Sequence, residues 1–408
     1  MRPTHPRDVD HVVIGLGGIG SAAAYWLARF ADEAGRKDPT IVGLEQYELG
    51  HDRGASDDHS RIIRRSYHTA GYAALATGAY AAWDAVAAEA GHEIVVRTGG
   101  IDLFPAGGPI PMDRYTTSMD AVGCPYEVID AAETMRRYPQ FRLDAGVVAI
   151  AQEDTGIAPA AKGTAAHQQL AIARGAALQS HAGVEQIISD GAGELTVVTA
   201  NGTYRTGSVV LAADAWTPTL LRPLGIDLPL EITREQVVYY PSEHLDDYAI
   251  GRFPVWIWFD ESIYYGFPVY GDTTAVKAAE DVGGLPTTAE TRSFDPDLAA
   301  QARLTAFLEG VLPTMVGSSP PRVKTCLYAM TPDRDFVLDT VPGHPGLQVA
   351  LGSAHGFKFA SWFGRTLAER AVLGTTTELI EPFRLGRPGI SDPDFVANYR
   401  DPASIGTS

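Results

Sequence analysis

Cysteine, positive charge and long apolar runs are all scarce in this sequence. Its 408 residues include two cysteines, Cys124 and Cys326, which excludes a disulfide framework and fits a reducing cytoplasm. Lysine and arginine number 32 against 50 acidic residues, a formal net charge of −18. Repulsion at long range then argues against nucleic acid and anionic membranes as partners. No apolar run approaches the roughly 18 residues that span a bilayer. The first residues, Met1-Arg2-Pro3-Thr4-His5, are polar and show no signal-peptide pattern. A hydrophobic fraction of 45% with 20% charged residues excludes a disordered chain. There is no internal repeat, and the length predicts two or three domains at roughly 150 residues each.

What is present begins with a βαβ pattern. Asp10 to Ile14 read as a buried strand, and Ser21 to Phe30 read as an apolar helix. Between them stands Gly15-Leu16-Gly17-Gly18-Ile19-Gly20. A second strand, Ile41 to Leu44, ends at Glu45. In a dinucleotide-binding turn, Gly15 permits the tight bend and Gly17, followed by Gly18, lets a pyrophosphate approach the backbone. Gly20 lets helix and strand pack closely. The helix N-terminus offers free N–H groups and about half a positive charge to the phosphates. Glu45 is placed to accept hydrogen bonds from ribose hydroxyls, and it would repel a 2′-phosphate. This unit predicts a dinucleotide and leaves open whether it is FAD or NAD.

Further along, an Ala-rich helix is expected over 71–90. Glu194 to Thr199 and Ser208 to Ala213 flank Asn201-Gly202 and read as a hairpin. Aromatic strands follow at Val255 to Phe259 and Ile263 to Phe267, suiting an antiparallel sheet with one buried face. The polar stretch 282–297 reads as a loop, and 298–310 as a helix. Gln348 to Leu351 and Phe359 to Leu373 return to strand–glycine–helix texture. The predicted fold class is α/β (α+β), with a Rossmann-like nucleotide domain interleaved with a substrate domain on a mainly antiparallel sheet. The expected division is 8–85, 150–225 and 325–380 for the first, and 86–149 and 226–324 for the second. Residues 381–408 form a tail.

Three segments identify a family. They are Gly54-Ala55-Ser56-Asp57-Asp58-His59-Ser60-Arg61-Ile62-Ile63-Arg64-Arg65-Ser66-Tyr67; Lys324-Thr325-Cys326-Leu327-Tyr328, with Asp333 and Asp335 after it; and Gly352-Ser353-Ala354-His355-Gly356-Phe357-Lys358-Phe359. In this order and spacing the chain resembles the monomeric sarcosine oxidase family, which includes N-methyltryptophan oxidase and pipecolate oxidase. These belong to the wider D-amino-acid-oxidase-like flavoproteins. The resemblance implies FAD, linked through its 8α-methyl group to the sulfur of Cys326. Taken alone, Cys326 reads as a small buried apolar side chain. The matched motifs also put Ser60, Arg61, Gly352, His355, Gly356, Phe357 and Lys358 at the cofactor.

The same resemblance implies that Arg64 and Lys358 bind a substrate carboxylate, a task that suits a guanidinium fork. Arg61 and Arg64 are three apart and would share one face of a helix. Lys277 matches an oxygen-activating lysine, with one residue more than usual between Pro268 and it. A fixed cation stabilises developing superoxide. Tyr265 matches a tyrosine lining the substrate pocket, and reads equally well as a packed strand aromatic.

Three positions depart from the family pattern. Asp57 and Asp281 stand where histidines are usual, and Asp214 stands where glycine is usual. Asp57 and Asp281 lower the positive charge of the pocket and could accept an ammonium or sugar hydroxyls. They predict a secondary amine or N-substituted amino acid larger than sarcosine, with an extra polar or cationic group. The implied reaction oxidises the C–N bond to an imine, with O₂ reduced to H₂O₂. The alternatives are a fructosyl-amino-acid (deglycating) oxidase and a flavin amine dehydrogenase with another acceptor. A flavin scaffold without activity and a nicotinamide dehydrogenase are weaker alternatives. No metal is expected, since the adjacent residues Asp57-Asp58-His59 rarely converge on one ion. A monomer or small homo-oligomer is expected.

Overall fold

The computed structural model describes residues 6–36 and 39–397. The reading of Met1 to His5 and the tail beyond 397 lie outside the described residues. A six-stranded sheet runs in the order Ala177–Gln179, Ile41–Leu44, His11–Ile14, Val209–Leu211, Leu347–Leu351, Val337–Thr340. Its first five strands are parallel, and the last is antiparallel. The strands His11–Ile14, Val209–Leu211 and Leu347–Leu351 are buried at every position, as a sheet covered on both faces requires.

The helix Gly18–Glu33 starts three residues earlier than expected and packs against helices Ala160–Ala173 and Ala360–Ala368. A methyl group on Gly364 would overlap the backbone of Ala22. The helix Ala70–Ala90 is capped at Thr69, whose side chain accepts from the Tyr72 N–H. It stops at Gly91, which has a left-handed φ of +75°. Among the described residues no helix is long and apolar enough to cross a membrane.

The hairpin differs from the sequence reading. Leu195–Thr199 pairs with Gly202–Thr206, with Thr199 opposite Gly202, so the turn is Ala200-Asn201. Val209–Leu211 joins the parallel sheet instead. Burial explains the choice. Gly202–Thr206 alternates between buried and exposed, whereas Val209–Leu211 is apolar throughout and needs cover on both faces. The single helix expected over 359–373 is a 3-10 turn, Phe357–Phe359, the helix Ala360–Ala368 and a π turn, Glu369–Leu373. The loop 282–297 contains the short strand Leu285–Pro286.

Among the described residues the larger sheet has nine strands and is mainly antiparallel; only Val255–Trp258 with Gly100–Phe104 is parallel. Here Arg322–Met330 pairs with residues 231–239 of the strand Glu231–Tyr240, which sets Cys326 opposite Glu235. Lys277, in Val276–Asp281, lies opposite Tyr239. The tail is anchored, since Phe383 and Leu385 are buried and the Arg387 guanidinium donates to Asp333 at 2.6 Å and 2.9 Å.

Gly364→Ala tests the helix contact. Alanine gains about 1 kcal/mol over glycine within a helix. The overlap at Gly364 is with backbone, which gives little, so a net loss of about 1–3 kcal/mol is expected. It is read as a lower urea midpoint at unchanged slope. A raised midpoint contradicts the close approach.

Candidate functional site

One cavity of about 480 Å³ opens at the carboxyl ends of the parallel strands. At one end it meets the glycine turn. Gly15 has φ +83°, and a Cβ there would lie 2.6 Å from the Ala212 carbonyl oxygen. Gly17 and Gly18 line the cavity; Gly20 does not, and packs against Gly15 instead. The first helical turn holds no acidic residue, which favours an anion, and the Gly18 N–H donates to the Ser56 hydroxyl at 2.8 Å. Glu45 is fixed by the N–H groups of Leu16 at 2.9 Å and Tyr47 at 3.1 Å, and it faces the cavity. Asp214 also faces this end, with φ +44°, and burial pushes its carboxyl up to about 6.

The carboxyl-terminal motif closes the middle. A Cβ on Gly352 would lie 2.7 Å from the Gly356 Cα, and one on Gly18 would lie 2.7 Å from the Phe357 ring. The glycine turn and the 352–358 loop therefore touch here. His355 bonds through Nε2 to the Arg334 carbonyl at 2.9 Å, and burial keeps its imidazole neutral. Trp83 donates to the Lys358 carbonyl at 2.9 Å.

The far end is cationic. Arg64 donates to Asp102 at 2.9 Å, and the Ser66 hydroxyl donates to the same carboxylate oxygen at 2.5 Å. The guanidinium sits 5.0 Å from the Tyr67 ring and 5.2 Å from that of Phe259. Arg334, at φ +60°, donates to Asp281 at 3.2 Å, and the Tyr328 hydroxyl donates to the other Asp281 oxygen at 3.2 Å. Lys358 faces the cavity beside them. Burial and Arg64 push its ammonium down to about 7, against Asp281. Tyr265 lines the same wall.

Behind the wall lies a second charged cluster. Lys277 is 4% exposed and does not line the cavity. Its ammonium donates to Asp58 Oδ2 at 2.5 Å, the Ser60 carbonyl at 2.9 Å and the Ser60 hydroxyl at 3.1 Å. All three of its protons are thus held by protein. Tyr239 donates to the other Asp58 oxygen. Burial pushes Lys277 down to about 8, against Asp58. Arg61 lies 3.7 Å from Asp58, donates to the carbonyls of Ala55, Asp57 and Ser60, and reaches the cavity. Cys326 is not a lining residue, although Leu327 and Tyr328 beside it are. Burial pushes its thiol up to about 11, against Arg61.

Some expectations change. Arg61 and Arg64 do not share a helix, because Arg61–Ile63 is a strand paired with Gly156–Ala158. Asp57 and Asp281 are not free carboxylates: Lys324 pairs with Asp57 at 2.7 Å, and Arg334 with Asp281. Sequence reasoning misses Asp102 and Arg334, and weighs Asp58 only as a metal ligand. Arg334 stands between Asp333 and Asp335, both noted in the sequence, but nothing in the spacing distinguishes it.

The wall also carries buried polar atoms without a protein partner: Arg64 Nε, Tyr67 Oη, His68 Nε2, Thr164 Oγ1, Asp214 Oδ2 and Arg334 Nε. Such atoms are costly unless a ligand or water meets them. With the glycine turn at the cavity end and the fixed acid Glu45, they fit a dinucleotide that extends toward the cations.

The cationic end is expected to bind small carboxylates in a pH-dependent way. Lys358 carries its charge below about 7 and loses it above. Acetate affinity, measured by calorimetry, should therefore fall from about pH 6 to about pH 8.5, and Lys358→Met should flatten the dependence. A flat profile in the unaltered protein contradicts this placement of Lys358.

Comparison with known proteins places the chain in a family. The family described as FAD dependent oxidoreductase (DAO) matches residues 10–370. The chain is similar to the monomeric sarcosine oxidase of Streptomyces avermitilis, 33% identical over 406 residues, covering 94% of this chain and 99% of that protein. It is similar to the N-methyl-L-tryptophan oxidase of Salmonella arizonae, 29% identical, covering 93% and 98%. Among solved structures it is similar to NikD, an unusual amino acid oxidase essential for nikkomycin biosynthesis. The TM-score is 0.80 at 25% identity, over 93% of this chain and 97% of that one.

Proposed function

The chain belongs to the FAD dependent oxidoreductase family, and from that premise we propose that it oxidises the C–N bond of an N-substituted amino acid to an imine, with O₂ as electron acceptor. The observation that carries this reading is one cavity with a dinucleotide end at Gly15–Gly18 and Glu45, and a carboxylate-binding end at Arg64 and Lys358.

FAD bound there supplies a two-electron acceptor for a hydride equivalent from the substrate carbon. The protein's share is orientation. Arg64, held by Asp102, and Lys358 grip the carboxylate, and the aromatic wall excludes water. The amine reacts unprotonated, so its lone pair assists and no general base is needed. Water then hydrolyses the imine, and the two electrons taken from the substrate pass with two protons to O₂, giving H₂O₂. Cys326 is the attachment point for the cofactor in this reading. Support comes from its strand, which lines the cavity at Leu327 and Tyr328, and from Arg61, whose charge favours the thiolate. The division into a nucleotide part over 8–85, 150–225 and 325–380 and a substrate part over 86–149 and 226–324 belongs to the same reading, as does a cytoplasmic location.

One observation favours a second acceptor. Asp58 holds the ammonium of Lys277, so this cation offers less field to a developing superoxide than a free one does. A dehydrogenase passing electrons to another carrier is the alternative, and stoichiometric peroxide in air separates the two.

The decisive experiment is anaerobic mixing of the purified protein with N-methyl amino acids and with their primary-amine counterparts. Bleaching of the flavin absorbance by N-methyl compounds, with little by the primary amines, is expected. Failure of every amine to bleach it overturns the reading. In air, Lys277→Met is expected to slow reoxidation far more than reduction, and equal slowing of both removes Lys277 from that role.

A further inference from the structure

The cationic end contains a contact that the carboxylate grip does not use. Arg334 and Asp281 face the same cavity as Lys358 and Arg64. Their ion pair is 3.2 Å long, and the Tyr328 hydroxyl reaches Asp281 at an equal 3.2 Å. Both bonds are at the long end for charge-assisted contacts, which favour about 2.7–2.9 Å. Arg334 Nε is buried and has no acceptor. The residue is 5% exposed and held in a left-handed backbone, with its carbonyl tied to His355. The cavity wall therefore holds a guanidinium with one N–H unpaired, joined to a carboxylate through a bond at the long end of the range.

We propose that Arg334 and Asp281 together set substrate specificity by binding a carboxamide on the side chain of an N-substituted amino acid. The inference rests on the functional reading above and names its substrate class. A carboxamide carries an acceptor and a donor side by side. Its oxygen accepts from Arg334 while its N–H donates to Asp281. A side-chain carboxylate satisfies Arg334 but is repelled by Asp281. An ammonium has the reverse problem, and an apolar side chain leaves the buried Nε of Arg334 unpaired. Charge agrees. Arg64 is matched by Asp102 and Arg334 by Asp281, so Lys358 is the cation of this group without an ion-pair partner among the described residues. The α-carboxylate takes that charge, so the side chain is neutral. Sarcosine, lacking a side chain, leaves the contact empty.

The test compares kcat/KM for N-methylglutamine, N-methylglutamate, N-methylleucine and sarcosine in the purified holoenzyme. N-methylglutamine is expected to lead by roughly tenfold to a hundredfold, as sites built for a hydrogen-bonding group discriminate against analogues that lack it. In Arg334→Asn, which tolerates the left-handed backbone, the lead should collapse through KM. In Asp281→Asn the order should invert toward N-methylglutamate, because the guanidinium then lacks its counter-charge. A merely structural role for Asp281 does not invert a preference. Equal kcat/KM across the set, a lead for N-methylleucine, or no inversion in Asp281→Asn overturns the proposal. If no N-methyl compound reduces the flavin at all, the functional reading fails and this inference falls with it.

Discussion

The site depends on one constraint: the glycine turn after the first strand and the loop after the last long parallel strand must touch. His11–Ile14, Val209–Leu211 and Leu347–Leu351 run parallel and adjacent, so their carboxyl ends meet at one edge. The chain can close over that edge only where side chains are missing. Gly18 admits the Phe357 ring, and Gly352 admits the Gly356 backbone. Without these approaches the loop carrying His355 and Lys358 would stand off the sheet, and the two ends of the cavity would separate.

Charge in and around the cavity is mostly paired. Arg64 with Asp102, Lys277 with Asp58 and Arg334 with Asp281 each remove a charge from water and return it to an opposite one. Such pairs contribute little to stability, because desolvation offsets the attraction. They hold geometry instead. Asp102 aims Arg64, and Asp58 keeps Lys277 behind the wall. Lys358 faces the cavity without an ion pair within 4 Å among the described residues, and its charge is the one left for a ligand. The chain is strongly acidic overall, yet this end of its cavity is not. A small anion bound here is thus held by local pairing rather than by the field of the whole molecule.

Much of this was legible in sequence, and the reasons differ by residue. The βαβ unit was clear because strand, glycines, helix and acidic end occur in a fixed order. Strand Val209–Leu211 was located, but its partner was misread, since a turn signal at Asn201-Gly202 says nothing of which apolar run completes the hairpin. Arg61 and Arg64 were recognised by motif, while their helical placement failed because pairing with Gly156–Ala158 overrode local spacing. For Lys277, the sequence gives no sign of burial behind Asp58, because that contact joins positions 219 residues apart. Arg334 was invisible for a similar reason: its pairing with Asp281 bridges 53 residues, and arginine between two acids reads as a solvated charge.

The central claim is the proposal that FAD is held in this cavity through Cys326. Acid precipitation followed by trypsin digestion and mass spectrometry tests it most directly. The pellet is expected to stay yellow, with the mass of FAD on the peptide running from Thr325 to Arg334, and Cys326→Ser is expected to give a colourless pellet. A colourless pellet from the unaltered protein, or colour kept by Cys326→Ser, contradicts the account.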